Sequence, residues 1–411
     1  MRNSLAMPSG ATRPVASAVG RWALGALLLL ATLSPSPAQA PKPSEGFQTA
    51  APYAILIDAE SDSVLFEKNA DQLSHPASLA KLMTVAVVLH EVAEGRLDLN
   101  TEFVVSENAW RKGGAPSGGS AMFAPLHSRV RVEDLLRGVI VQSGNDACIA
   151  LAEGIAGNEA QFATMMNKRA REIGLTKSEF RNASGLHDPD QKVTVRELAK
   201  LAQHIIRTYP EHYKIYNERE FTWNKIRQQN RNPLLAMGIG ADGLKTGFIK
   251  ESGYGLVGSA VQNGLRLIVV VNGLKSAKER ADEGRKLLDW GFRAFESRVL
   301  FAEGETVGEA KLYGGANGRV ALTSDRPIRL LVQRGQNEKI VARIVYNGPV
   351  PAPVEKGQPI GRIKVWRGDS VALEVPLQAG ESVPQGNIAQ RAFDAASELV
   401  VGLFRAGTER L

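Results

Sequence analysis

From Leu79 to Ala93 the chain is apolar on nearly every side, reading Leu-Ala-Lys-Leu-Met-Thr-Val-Ala-Val-Val-Leu-His-Glu-Val-Ala, and Gly95 follows just beyond. A helix over such a run has no face to give to water, so it must be buried and the rest of the chain must wrap around it. Ser78 stands at the head of this run and Lys81 three residues on, which puts both on one helical face a single turn apart. A lysine in that setting is poorly solvated. Burial penalises its ammonium, lowers its pKa and leaves an amine able to take the proton of a serine hydroxyl at neutral pH. About one or two S-x-x-K matches arise by chance in a chain of this length, so the position at the head of an apolar helix is what makes Ser78 and Lys81 a candidate nucleophile and base.

The first forty residues have a different character. Arg2, Arg13 and Arg21 precede an apolar stretch from Trp22 to Leu33, and Pro37-Ala38-Gln39-Ala40 follows. A basic start, a short apolar segment and an A-x-A end predict a secretory signal peptide cut after Ala40, with the remainder working outside the cytoplasm. The stretch is too short to span a bilayer comfortably. Cys148 is the sole cysteine, so no internal disulfide forms and the core must hold the fold. With 411 residues and 44% hydrophobic composition, two domains with a real core are expected. The leader's three arginines account for part of the formal +7, leaving +4. That mild balance, without basic patches interleaved with aromatics, argues against nucleic acid as a partner.

Beyond a polar linker from Pro41 to Ala51, the segments Tyr53–Asp58 and Ser63–Glu67 flank a short polar loop and predict a β-hairpin. After the Ser78 helix, helical patterns run from Val132 to about Gly154, from Glu159 to Ile173 and from Thr194 to Thr208, the last with Thr194 and Glu197 in capping-box spacing. Gly243–Phe248, Tyr254–Ala260 and Leu265–Asn272 predict consecutive antiparallel strands, and Ala277–Phe295 a closing helix. Strands from both ends of this region imply one antiparallel sheet covered by helices, with a helical lobe inserted between its halves: an α/β architecture. From about Arg298 to Pro384, short alternating runs parted by Gly and Pro predict a small all-β domain that carries no cluster of reactive groups. Asn387–Phe404 places Ile388, Ala392, Ala396, Leu399, Val400, Leu403 and Phe404 at helical spacing, an amphipathic segment suited to a membrane interface or to docking on its own domain. The expected division is therefore a leader at 1–40, a catalytic domain at 41–297, the all-β domain at 298–384 and a terminal helix at 385–411.

Two more polar groups of residues interrupt apolar surroundings. Ser143-Gly144-Asn145 lies within a helical pattern, where a hydroxyl and an amide are costly to bury without partners. Lys245-Thr246-Gly247 lies on a predicted strand, where lysine and threonine can hold an anion and glycine lets a ligand backbone approach. Each tripeptide alone is weak. S-x-x-K, then S-x-N, then K-T-G, in that order, form the motif set of penicillin-binding proteins and β-lactamases.

The chain closely resembles the low-molecular-mass penicillin-binding proteins that act as serine-type D-alanyl-D-alanine carboxypeptidases. The likeness extends over His75-Pro76-Ala77-Ser78-Leu79-Ala80-Lys81-Leu82-Met83-Thr84, Ser143-Gly144-Asn145-Asp146-Ala147, Asn230-Arg231-Asn232 and Asp242-Gly243-Leu244-Lys245-Thr246-Gly247, and over the β-rich second domain and terminal helix. It implies a β-lactamase/transpeptidase-like fold with Ser78 as nucleophile and Lys81 as its base. Ser143 and Asn145 would relay protons and orient the peptide. Lys245 and Thr246 would receive the substrate carboxylate, with Arg280 assisting, while Gly247 admits the ligand and the backbone N–H groups of Ser78 and Phe248 form the oxyanion hole. A cationic Lys245 would favour a neutral Lys81. The implied substrate is the peptidoglycan pentapeptide and the implied inhibitors are β-lactams. The implied location is the periplasm, on the inner-membrane surface through the terminal helix, in a role in wall maturation and cell shape. No cofactor is implied, and scattered histidines offer no metal site.

The pattern departs from many relatives at Phe248-Ile249, where an aromatic or His and then a Thr are usual, so one hydroxyl is missing. Asn182-Ala183-Ser184-Gly185-Leu186-His187 resembles the family's N-x-x-G-L segment without assigning Ser184 or His187 a role, His187 reading as a solvated loop residue. Cys148 reads as a packed thiol. A β-lactamase is disfavoured by the extra domain and by the absence of E-x-x-L-N before K-T-G. A crosslink-cutting endopeptidase and a non-catalytic wall-binding protein are the other readings, the second separable by covalent capture of a labelled penicillin.

Overall fold

The computed structural model describes residues 47–335, 340–367, 370–392 and 395–396. The leader lies outside them, as does most of the terminal amphipathic segment, of which 388–392 and 395–396 are helical.

Five strands form the main sheet in the order Val64–Lys68, Tyr53–Asp58, Leu265–Leu274, Gly253–Gln262, Ala241–Ile249. The N-terminal hairpin thus docks beside a strand more than two hundred residues away, with Tyr53 opposite Asn272 and Asp58 opposite Leu267 in antiparallel register. The central strand is buried on both faces. Ile268 and Val270 pack into one core with the helical lobe, while Leu267, Val269 and Val271 pack into a second with Leu287 and Leu288 of the Ala277–Ala294 helix. This two-sided burial is why its sequence is continuously apolar instead of alternating.

The Lys81–Ala93 helix runs through the first core, with Lys81 to Leu89 all buried. Helices Glu159–Glu172 and Val195–Thr208 complete the lobe. The second is capped by Thr194 Oγ1, which accepts from the Glu197 backbone N–H at 3.1 Å. Only half of the expected capping box forms, because the Glu197 carboxylate is used elsewhere: it accepts from the backbone N–H groups of Lys177 and Ser178 and from the Ser178 hydroxyl.

Two local departures from the sequence pattern bear on the site. The 132–154 pattern is not one helix: Val132–Arg137 is α-helical, Gly138–Gln142 is a π-turn, Ser143 is left-handed at φ 66°, and the helix resumes at Asn145–Ala156. Ser78 does not sit on the α-helix either. It lies in a 3-10 turn over Ala77–Ala80 entered through Ala77 at φ 48°, and the α-helix starts at Lys81. Beyond Phe295 the strands form separate sheets around a third, apolar core that includes Val320, Leu322, Leu330, Ile363, Val365 and Leu377.

Candidate active site

Lys81 is wholly buried, and its ammonium has three acceptors: Ser78 Oγ at 3.0 Å, Asn145 Oδ1 at 2.7 Å and the Ser184 carbonyl. Each comes from a different part of the chain. The 3-10 turn supplies Ser78, and the helix start after the left-handed Ser143 supplies Asn145. The Ser184 carbonyl is supplied by the 182–187 loop, held by Asn182, whose Oδ1 accepts from the Gly185 N–H at 2.8 Å and whose Nδ2 donates to the Leu186 carbonyl at 3.0 Å. Gly185, at φ 77°, presses on the nucleophile turn so closely that a Cβ there would lie 1.9 Å from the Ala77 carbonyl oxygen.

Across the cleft runs the outermost strand of the sheet, Ala241–Ile249. Gly247 lets it meet the nucleophile turn: a Cβ at this position would be 3.0 Å from the Pro76 carbonyl and 3.2 Å from Leu79. Lys245 is almost fully buried on this strand, and its ammonium donates to the Thr246 carbonyl at 3.2 Å. Ser78, Ser143, Thr246, Gly247, Phe248 and Arg280 line one cleft of about 590 Å3. The three sequence motifs therefore converge, and Arg280 joins them. Ser143 Oγ is buried and has no hydrogen-bond partner. Phe248 is about half exposed and stacks on Tyr254 at a ring separation of 4.2 Å, while the Arg280 guanidinium lies 5.6 Å from the Tyr254 ring centre.

Burial pushes the Lys81 amine below its usual value, and the Arg231 guanidinium acts in the same direction. Lys245 is pushed well below its usual value, first by burial and then by the charge of Lys81. A charge on Lys81 thus makes an ammonium at Lys245 costlier, and Lys81 has three acceptors within reach where Lys245 has a single carbonyl. Cys148, in the same core, is pushed up to about 12 by burial, so it is a packed thiol and not a nucleophile.

Three contributors lie in segments quoted for the resemblance but had no role assigned from the sequence. Ser184 acts through its main-chain oxygen, which side-chain chemistry does not announce. Arg231 donates to Ser120 Oγ at 2.7 Å, and both line the cleft. Asp146 accepts from the backbone N–H groups of Met122 and Ala124 at 2.9 and 3.2 Å, holding the segment next to Ser120 against the start of the Asn145 helix. The extended Ser143–Ala147 motif was the one pointer to Asp146. His187 is half exposed, with Nδ1 3.9 Å from Glu251, and stands outside the cluster. Among the described residues no group of His, Cys, Asp and Glu could hold a metal ion.

Residues 37–276 match the D-alanyl-D-alanine carboxypeptidase family, and residues 295–385 match the penicillin-binding protein 5 C-terminal domain. D-alanyl-D-alanine carboxypeptidase DacC of Escherichia coli (strain K12) is 40% identical over 343 residues, covering 83% of this chain and 86% of that one. The crystal structure of penicillin binding protein 5 from Haemophilus influenzae aligns with a TM-score of 0.74 at 38% identity, covering 84% of this chain and all of that one. Penicillin-binding protein D2 from Listeria monocytogenes, in its ampicillin-bound form, aligns over 61% of this chain with a TM-score of 0.55 at 30% identity.

Proposed function

This chain belongs to the D-alanyl-D-alanine carboxypeptidase family of serine peptidases, and on that premise we propose that it removes the terminal D-alanine of peptidoglycan pentapeptides through an acyl-enzyme on Ser78. The observation that carries the assignment is the wholly buried Lys81 amine 3.0 Å from Ser78 Oγ.

The substrate's terminal carboxylate enters beside Thr246, Lys245 and Arg280. It supplies the counter-charge that burial withholds from Lys245, so Lys245 takes up or keeps a proton. A charged Lys245 then raises the cost of an ammonium at Lys81 and leaves Lys81 as the free amine. Lys81 accepts the hydroxyl proton as Ser78 Oγ bonds to the carbonyl carbon of the penultimate D-alanine. The negative oxygen that develops is met by the N–H groups of Ser78 and Phe248. The carbon–nitrogen bond breaks as the proton reaches the leaving amine through Ser143, whose buried hydroxyl has no other partner. Asn145 holds both Lys81 and the substrate backbone. Water then repeats the sequence: Lys81 takes its proton, its oxygen bonds to the acyl carbon, the ester bond to Ser78 Oγ breaks and releases the shortened peptide with a new carboxyl terminus, and Lys81 returns the proton to Ser78 Oγ. A β-lactam carbonyl meets the same serine.

D-alanine release from a pentapeptide, together with covalent capture of a labelled penicillin, tests this reading. Both are expected in the native protein and both are lost in Ser78→Ala; a Ser78→Ala variant that still releases D-alanine refutes the assignment.

Residues 41–297 are assigned the chemistry and 298–384 a positioning role. The basic and apolar leader supports export to the periplasm, and the apolar stripe from Ile388 to Phe404 supports attachment at the inner-membrane surface. No helix among the described residues is long and apolar enough to cross a membrane. Truncation after Pro384 is expected to move the protein from the membrane pellet to the soluble fraction with peptide hydrolysis unchanged; unchanged sedimentation overturns the attachment.

A further inference from the structure

Phe248 and Tyr254 line two hollows, the catalytic cleft and a second groove of about 900 Å3 built from loops at one end of the sheet. Lys250, Glu251 and Ser252 reach this groove from the turn after the outermost strand, Lys275 from the turn after the central strand, and His75 and Lys192 from beside the nucleophile turn. His75 Nδ1 lies 3.1 Å from the Gln191 carbonyl and so donates to it, which leaves Nε2 to accept from the Lys192 ammonium at 3.1 Å and fixes Lys192 at the wall. Among the described residues no carboxylate pairs with the ammonium of Lys192, Lys250 or Lys275. Glu251, the acid in the lining, stands 3.9 Å from His187, and Ser252 Oγ is buried without a partner.

We propose that this groove binds the carboxylate-bearing part of the substrate peptide upstream of the bond cut at Ser78. The inference rests on the reading of Ser78, Thr246 and Phe248 given above, because that reading sets the direction of the peptide. With the terminal carboxylate at Lys245 and Thr246 and the reacting carbonyl near Phe248, an extended substrate added to the open edge of the Ala241–Ile249 strand leaves it at Ile249. Its upstream residues pass the exposed Phe248 ring and arrive between Lys250 and Lys275. Three ammoniums without carboxylate partners there are complementary to an acidic peptide, and they act through binding and not through the chemical step.

The test uses one peptide ending in D-Ala-D-Ala in two forms, its upstream carboxylates free or amidated, with the native protein and the double variant Lys250→Glu/Lys275→Glu. The native protein is expected to prefer the acidic form through KM by about tenfold at low salt, with the preference shrinking as ionic strength rises. The double variant is expected to lose that preference while kcat, turnover of the amidated form and the rate of penicillin acylation stay within about twofold. Should the charge reversal misfold, Lys250→Gln/Lys275→Gln carries the same expectation. Equal losses on both peptides, or an unchanged preference, overturn the proposal. A native protein that neither traps penicillin nor releases D-alanine defeats the reading beneath it as well.

Discussion

The two halves of this molecule bury different things. In the strands beyond Phe295 the interior is Val, Leu, Ile and Ala, with Ser324 the buried polar residue among those described, and the charges pair on the surface, as Arg362 and Lys364 do with Glu374. The first half hides Lys81, Ser143, Asn145, Asp146, Lys245 and Thr246 within a few elements of one another. An apolar interior stabilises; a buried ammonium or an unpartnered hydroxyl costs stability and is tolerated where the surrounding packing enforces it. The C-terminal sheets are therefore built to hold shape. The catalytic half gives up stability to keep a few polar groups dry and aligned.

Replacing Lys81 with Met presses hardest on that contrast. Loss of the base is expected to lower kcat by about a thousandfold or more, while an apolar chain of similar length in a dry pocket keeps or raises the melting temperature. D-alanine release and a thermal scan read both, and a large loss of stability would contradict the idea that the amine is a cost. In the other half, Leu330→Ala should do the opposite. Truncating this fully buried side chain is expected to destabilise its sheets by about 2–5 kcal/mol, measured by denaturant unfolding, with kcat/KM on a soluble peptide within about twofold.

Gly185→Ala sharpens the boundary of the catalytic half, since the added methyl meets the Ala77 carbonyl where the backbone is already left-handed. It is expected to cost about 2 kcal/mol of stability or to slow acylation by about tenfold or more as the nucleophile turn shifts. The rate of penicillin capture, set beside the melting temperature, tells which. A pH series probes the lysine pair. Activity requires neutral Lys81, so rates rise with pH through its pKa; if the bound carboxylate charges Lys245, the acid limb of kcat lies about one pH unit or more below that of kcat/KM. Coincident limbs remove the coupling. The smallest effect is expected for Arg362→Ala, which breaks an exposed pair worth less than about 1 kcal/mol and leaves activity unchanged.

Much of the architecture could be read from local patterns because the elements are strongly periodic or continuously apolar. The hairpin at Tyr53, the helices at Glu159 and Val195 and the three consecutive strands fall where hydrophobic spacing puts them. The break at Ser143 was visible only as polar residues inside a helical pattern; Gly144 closes the π-turn by donating to the Gly138 carbonyl, and Asn145 donates to the carbonyl of Ser120 on another segment, which ties the restarted helix to it. Glu197 gave up its place in the capping box for a loop twenty residues earlier in the chain. Ser184, named in the 182–187 segment, had no role assigned because a carbonyl oxygen belongs to every residue, and only its position makes it the third acceptor for Lys81.

By itself the amino-acid order determined that a long helix had to be buried, that a hydroxyl and an amine would share one turn at its head, and that a β-rich region without reactive groups would follow. Those are matters of spacing and polarity within a few residues. Which carbonyl faces the amine, how far burial penalises each of the two lysine charges, and that the edge strand lies against the nucleophile turn were decided in three dimensions. Hydrogen-bond reach and desolvation depend on neighbours brought from distant parts of the chain, and only packing sets those distances.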